Sequence, residues 1–223
     1  MRSTLIVTIC FSFIFNCLPV ELKIISVPIS KGNGKLSERI HAVEEYQGWD
    51  LIEDFDELHN FVRLRHGSPE LTINVTLINL ARQSAVVHGW YEGNPPIHQD
   101  ENDVHFGQNY HFHSDSEHRV TPSEVFESWY RDEERRYNYD DPIVTDENRQ
   151  FARIVSKSTE QYGCGQARDR GPGGGVYTIC IYTPEYVPGN ERENIGKPIY
   201  SFDDNNTFDS STINTQRKTV FTY

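Results

Sequence analysis

Residues 50–69 constrain this chain more than any other stretch. Leu51, Phe55, Leu58 and Val62 recur at helical spacing, so one face of the segment is apolar and must be covered. Asp50 can cap the helix, and Glu53 three residues later completes a capping-box-like pair. The helix then stops hard: Gly67 accepts the positive φ that ends helices, and Pro69 keeps the helix from resuming. A helix with a fixed face and a fixed end needs other layers to pack against. A second helix is expected from about Thr76 to His88, and its buried side (Leu77, Leu80, Ala81, Ser84, Ala85) is small enough to lie close to a sheet. A third helix starts at Thr121-Pro122-Ser123-Glu124, with a Thr cap, Pro at the first helical position and Glu at the third; Val125, Phe126 and Trp129 form its apolar side. Phe106–Phe112, Phe151–Ser156 and Gly175–Tyr182 read as strands, rich in β-branched and aromatic residues. Arg168–Gly174 reads as a flexible hairpin tip, and no internal repeat is present.

The N-terminus reads as a secretory signal over residues 1–20, with Arg2 as the basic region and the uncharged apolar stretch Leu5–Phe15 behind it. Leu5–Val20 is shorter than the roughly 20 residues of a membrane span, so a secreted, extracellular protein is expected. Cys10 and Cys17 fall in this signal, which leaves Cys164 and Cys180. Two cysteines in a secreted chain usually pair, and closing a loop of this length contributes about 3 kcal/mol in the chain-entropy model. Asn74-Val75-Thr76 and Asn205-Asn206-Thr207 are glycosylation sequons. Residues 21–49 form an N-terminal extension in which Leu36, Ile40 and Val43 have helical spacing. One domain follows over residues 50–198, and residues 199–223 make a polar, weakly ordered tail. The formal net charge of −12 repels phosphate backbones, so nucleic acid is not an expected partner.

Several patterns occur together and in order. They are His59-Asn60, Arg63, His66-Gly67, Pro69 and Leu71; then Gly107-Gln108-Asn109; then Trp129-Tyr130-Arg131-Asp132-Glu133 with Tyr137-Asn138-Tyr139 and Pro142. Phe151 to Ser158, Gly163-Cys164-Gly165, Cys180 to Pro184 and Gly189-Asn190 complete the set. As a set they resemble the CAP superfamily, which groups cysteine-rich secretory proteins, insect antigen 5 and plant pathogenesis-related proteins. The resemblance covers roughly Asp50 to Lys197. It implies a three-layer α-β-α sandwich with a central antiparallel sheet, and a cavity where two His and two acidic residues converge. Such a tetrad suits a divalent metal.

Carried over residue by residue, the tetrad is degraded. This chain supplies His98 (or His105), Gln108 in place of a Glu, Asp132 or Glu133, and Gln150 in place of the second His; the Trp of the family's His-Phe-Thr-Gln-Val-Val-Trp-Lys pattern is Ser156. A neutral amide is a poor zinc partner, so no metal and no cofactor are expected there. His111 and His113 share one strand face with His118 nearby, which reads as a solvated, pH-sensitive surface, with a displaced metal site as the rival reading. Neither a Gly-x-Ser-x-Gly elbow nor a His-Glu-x-x-His pair occurs, so no enzyme activity is expected. The resemblance implies a binder of a sterol, a fatty acid or another lipid, or an extracellular ligand for a receptor or channel.

Overall fold

The computed structural model describes residues 43–46, 49–90, 106–171 and 173–199. His98, His105, Asn205, the signal-like segment and most of the extension and tail lie outside the described residues. The elements, in chain order, are β1 (Val43–Tyr46), α1 (Trp49–Arg65), β2 (Thr72–Ile73), α2 (Val75–Trp90), β3 (Gly107–His113) and α3 (Pro122–Phe126). A π-helical turn at Glu127–Arg131 leads into α4 (Asp132–Glu134); α5 (Arg149–Val155), β4 (Gln161–Asp169), β5 (Val176–Thr183) and α6 (Glu191–Asn194) follow. No helix among the described residues is long and apolar enough to cross a membrane.

β4 and β5 form the antiparallel hairpin at the centre of the sheet, with β3 beside β5 and β1 beside β4, giving the order β1-β4-β5-β3. The short β2 pairs with the start of β4 in parallel, an exception to the antiparallel pattern. Period-two alternation divides the hairpin between two cores. Tyr162, Cys164, Val176, Cys180 and Tyr182 face a core built with α1, α3, the π turn and α5. Ala167, Ile179 and Ile181 face Leu77, Ala81 and Ala85 of α2. Helices thus cover both faces, as the α-β-α expectation requires. Cys164 and Cys180 stand opposite each other in the register and are joined by a disulfide.

The first helix ends as the sequence requires. Gly67 has φ 63°, Ser68 N–H reaches back to the Arg63 carbonyl at 2.9 Å, and Gly67 N–H reaches Leu64 at 3.1 Å. These two bonds make a Schellman turn. Asp50 lies inside the first turn of α1 rather than at its cap, a shift of the size usual for helix ends. Asn74 caps α2: its Oδ1 accepts from Thr76 N–H at 2.9 Å, while its Nδ2 donates to Gln161 at 2.7 Å. Thr121 caps α3 as expected, with its Oγ1 accepting from Glu124 N–H at 3.3 Å.

Two expectations fail. Phe151–Ser156 is not a strand but the body of α5, with Phe151, Ala152, Ile154 and Val155 all buried. A short apolar run buried on most sides carries no period that separates helix from strand. Val43 belongs to strand β1, paired with Asp169, rather than to a helix with Leu36 and Ile40. The hairpin tip is also shorter than expected, since β4 runs on to Asp169.

Buried polar groups tie the helices together. Arg63 is fully buried and donates only to carbonyls: Pro69 at 2.5 Å, Ile154 at 2.9 Å, Ser156 at 2.8 Å and Thr159 at 3.0 Å. His59 bonds the Phe55 carbonyl through Nδ1 at 2.7 Å and the Tyr182 hydroxyl through Nε2 at 2.8 Å. His66 bonds the Gly196 carbonyl at 2.7 Å and the Tyr130 hydroxyl at 2.8 Å. Tyr130 in turn accepts from Arg65, whose Nη1 lies 2.6 Å from Glu134. Burial lowers the His59 pKa to about 3 and that of His66 to about 4, so both imidazoles are neutral struts.

The approach of α2 to β4 depends on glycine. A Cβ on Gly163 would lie 2.2 Å from the Ile78 nitrogen, and one on Gly165 would lie 2.5 Å from the Arg82 nitrogen. Gly165→Ala is therefore expected to destabilise the fold by about 2–3 kcal/mol, the upper range for overpacking, because the obstacle is helix backbone; urea denaturation measures this. The two histidines set a second expectation. Their folded pKa values lie below the unfolded value of 6.5, so the unfolded state takes up protons first as pH falls. The stability they contribute is complete above pH 6.5 and is lost progressively below it, by about 2–3 kcal/mol per histidine at pH 4.5. Melting temperatures at pH 7 and 4.5 check this, with a smaller drop expected in His66→Gln.

Candidate functional site

The cleft residues gather where α4, α5 and the outer edge of β3 meet. Of the two acidic candidates, the structure turns Glu133 inward and leaves Asp132 on the surface, 3.6 Å from Arg135. The π turn is the reason. The Trp-Tyr-x-Glu motif that Trp129–Glu133 resembles places its acid three residues after Trp, but Glu133 is four after Trp129. A π turn absorbs one extra residue; here Asp132 N–H reaches back five residues to the Glu127 carbonyl. The widened turn thereby brings Glu133 rather than Asp132 to face α5.

Glu133 and Gln150 form a closed chain of hydrogen bonds. Gln150 Nε2 donates to Glu133 Oε1 at 2.8 Å, and Phe151 N–H donates to Glu133 Oε2 at 2.9 Å. The second bond satisfies a helix N-terminal amide of α5 that Asn148 does not cap. Burial pushes the Glu133 carboxyl up, while these donors pull it back down. Gln150 Oε1 accepts from Tyr110 N–H at 2.9 Å, so this amide uses its donor and its acceptor at once. Two more side chains bind the same edge of β3: Arg153 donates to the Gln108 carbonyl at 2.7 Å, and Trp129 Nε1 donates to the Tyr110 carbonyl at 2.9 Å. On the inner side, Asn109 Nδ2 donates to the Gln150 carbonyl at 3.0 Å.

Gln108 takes no part in the Glu133–Gln150 chain. Its Oε1 is buried and has no hydrogen-bond partner among the described residues. By strand alternation Gln108 shares a face with Tyr110 and Phe112. Both aromatics are partly exposed, at 36% and 39%, and the Phe112 ring lies 4.8 Å from that of Tyr177. Two amides and a carboxylate already bound by protein donors make a poor cation cage. Sequence reasoning placed Gln150 here but missed its role, because a vacated ligand position and a new hydrogen-bond bridge look alike in a one-dimensional pattern. Its missed neighbours, Arg153 and Trp129, sit within the same motifs and were legible only as scaffold.

The other candidates are scattered. Asn74 is the cap of α2, and a glycan on its Nδ2 would leave one N–H there for the bond to Gln161. His59 lies near Cys164 and Cys180, but the disulfide leaves no thiolate for a metal. His113 and His118 come together, with ring centroids 4.1 Å apart.

Gln150→Ala is expected to cost about 1–2 kcal/mol, since it removes one hydrogen bond to the water-accessible Tyr110 N–H and one to Glu133, which keeps its backbone donors. Thermal unfolding of this variant against the wild type measures the loss.

Residues 57–182, more than half of the chain, match the CAP family, described as the cysteine-rich secretory protein family. No curated protein matches the sequence. Among solved structures, Na-ASP-1 superposes with a TM-score of 0.52 at 14% identity, over 70% of this chain and 42% of that one. MpPR-1i matches at 22% identity with a TM-score of 0.48, over 68% of this chain and 98% of its own. Venom allergen-like protein 4 of Schistosoma mansoni matches at 20% identity with a TM-score of 0.41, over 70% of this chain and 92% of its own. At 14% identity the likeness to Na-ASP-1 speaks for the fold alone. The family match, with the order of motifs along the sheet and helices, places the protein: it belongs to the CAP, or cysteine-rich secretory protein, family.

Proposed function

We propose that this protein is a secreted, non-enzymatic binding protein whose ligand is a sterol or another lipid carrying a hydroxyl group. Members of the family are generally non-enzymatic and typically extracellular. The signal-like segment at residues 1–20 and the Cys164–Cys180 disulfide support secretion.

One observation carries the ligand class: the β3 face made by Gln108, Tyr110 and Phe112. It offers partly exposed aromatic rings beside Tyr177, with a buried amide oxygen at one end that has no partner among the described residues. A rigid apolar body bearing a single hydroxyl fits that pattern. Covering the rings contributes about 25 cal/mol per Å² of apolar surface, and a turn of the Gln108 side chain brings its buried Oε1 out to accept from the hydroxyl. Both Glu133 oxygens already accept from protein donors, which supports a structural role for this carboxylate.

Labelled cholesterol and fatty acid, added to the purified protein with and without divalent metal, test the reading. Saturable, metal-independent binding is expected, and Phe112→Ser should weaken it at least about tenfold, as loss of one buried aromatic predicts. Absence of binding under both conditions, or binding indifferent to Phe112, would sink the lipid reading and leave direct action as an extracellular ligand for a receptor or channel.

A further inference from the structure

Independently of lipid binding, we propose that His113, His118 and Glu124 form a surface site for a divalent transition-metal ion such as zinc. Three elements build it. His113 ends β3, His118 closes the turn that follows, and Glu124 stands in the first turn of α3. The ligand atoms of the three side chains all lie within 4.8 Å of one another. His118 Nε2 is 2.8 Å from Glu124 Oε2, and the His113 and His118 rings stack with their planes 20° apart.

The backbone holds the cluster in place. His118 N–H donates to the Asp115 carbonyl at 3.2 Å, Arg168 donates to the His118 carbonyl at 3.4 Å, and Thr121 fixes the start of α3 through Glu124 N–H. His113 Nδ1 also meets the backbone of Asp115, 3.2 Å from its N–H and 3.4 Å from its carbonyl. Asp115 N–H donates to Nδ1 in the ion-free protein; an ion at Nε2 selects the other tautomer, with Nδ1–H turned to the Asp115 carbonyl, the usual arrangement for a metal-bound histidine. The other nearby acids are engaged. Glu117 pairs with Arg168 and Arg170, and Asp115 Oδ1 accepts from Glu117 N–H. Glu124 is thus the carboxylate directed at the imidazoles.

Two imidazoles and one carboxylate are the three protein ligands of an open zinc site. Side-chain exposures of 40% for His118 and 35% for Glu124 leave room for the stacked rings to turn onto an ion and for water to complete the coordination. His111 lies close enough to interact electrostatically with all three residues, and its buried Nδ1 has no partner among the described residues. The site is separate from the Glu133–Gln150 cleft. It takes up the rival reading of these histidines, a displaced metal site.

Zinc chloride titrated into the lipid-free protein by isothermal calorimetry is the test. One zinc per chain is expected. His113→Ala, His118→Ala and Glu124→Gln should each weaken binding at least about tenfold, the loss that even outer-shell partners produce. Circular dichroism confirms folding, and His118→Ala with Glu124→Gln suffices should His113→Ala misfold. Failure to bind zinc saturably, or affinity unchanged in the folded variants, overturns the proposal. Loss of zinc in His98→Ala with retention in His118→Ala overturns it as well and assigns the ion to the cleft.

Discussion

Arg63 is the group on which the rest of the helical layer depends. A fully buried guanidinium is costly unless every donor finds an acceptor, and here the acceptors are carbonyls from two separate segments. Pro69 belongs to the turn after α1; Ile154, Ser156 and Thr159 belong to the end of α5 and the chain leaving it. The charge therefore sits against the negative end of a short helix, where a cation is favoured. Burial still draws its pKa down to about 10, well short of deprotonation at physiological pH. The Schellman turn at Gly67 serves the same contact, because it folds the chain so that Pro69 can present its carbonyl to an arginine six residues earlier. Histidines and arginines that look chemical in the sequence are thus structural in α1.

The cleft shows a different economy of charge. A metal tetrad holds its side chains in place through an ion. Glu133, Gln150 and β3 hold one another directly, with a neutral amide where the family pattern has an imidazole. Gln150 can both donate to the acid and accept from the strand, a pairing that a metal-bound histidine would not offer. The substitution is therefore coherent with its surroundings, although among the described residues Gln108 and Asn109 each keep a buried amide oxygen without a partner.

Much of this was legible from the chain. Helix ends announce themselves through local chemistry, as at Gly67, Asn74 and Thr121, where a cap or a positive φ acts within a few residues. The pairing of Cys164 with Cys180 followed from there being two thiols to join. The illegible parts depend on distant context. Phe151–Val155 is apolar because it is surrounded, and only the packing of α1 and β3 around it decides that it coils. Val43 becomes a strand because β4 offers an edge, which no spacing of apolar residues records. The choice between Asp132 and Glu133 rests on one extra residue in a helical turn, and a sequence pattern cannot show which way a helix absorbs it.

The outer edge of β3 has one more consequence. The Gln108 carbonyl and the Tyr110 amide and carbonyl are occupied by Arg153, Gln150 and Trp129, all carried on helical turns. An unoccupied strand edge is a template for another strand. Any loosening of α5 therefore does more than lower stability. It uncovers a pairing surface for a second chain, so resistance to aggregation and integrity of the Arg63 contact are coupled through the same short helix.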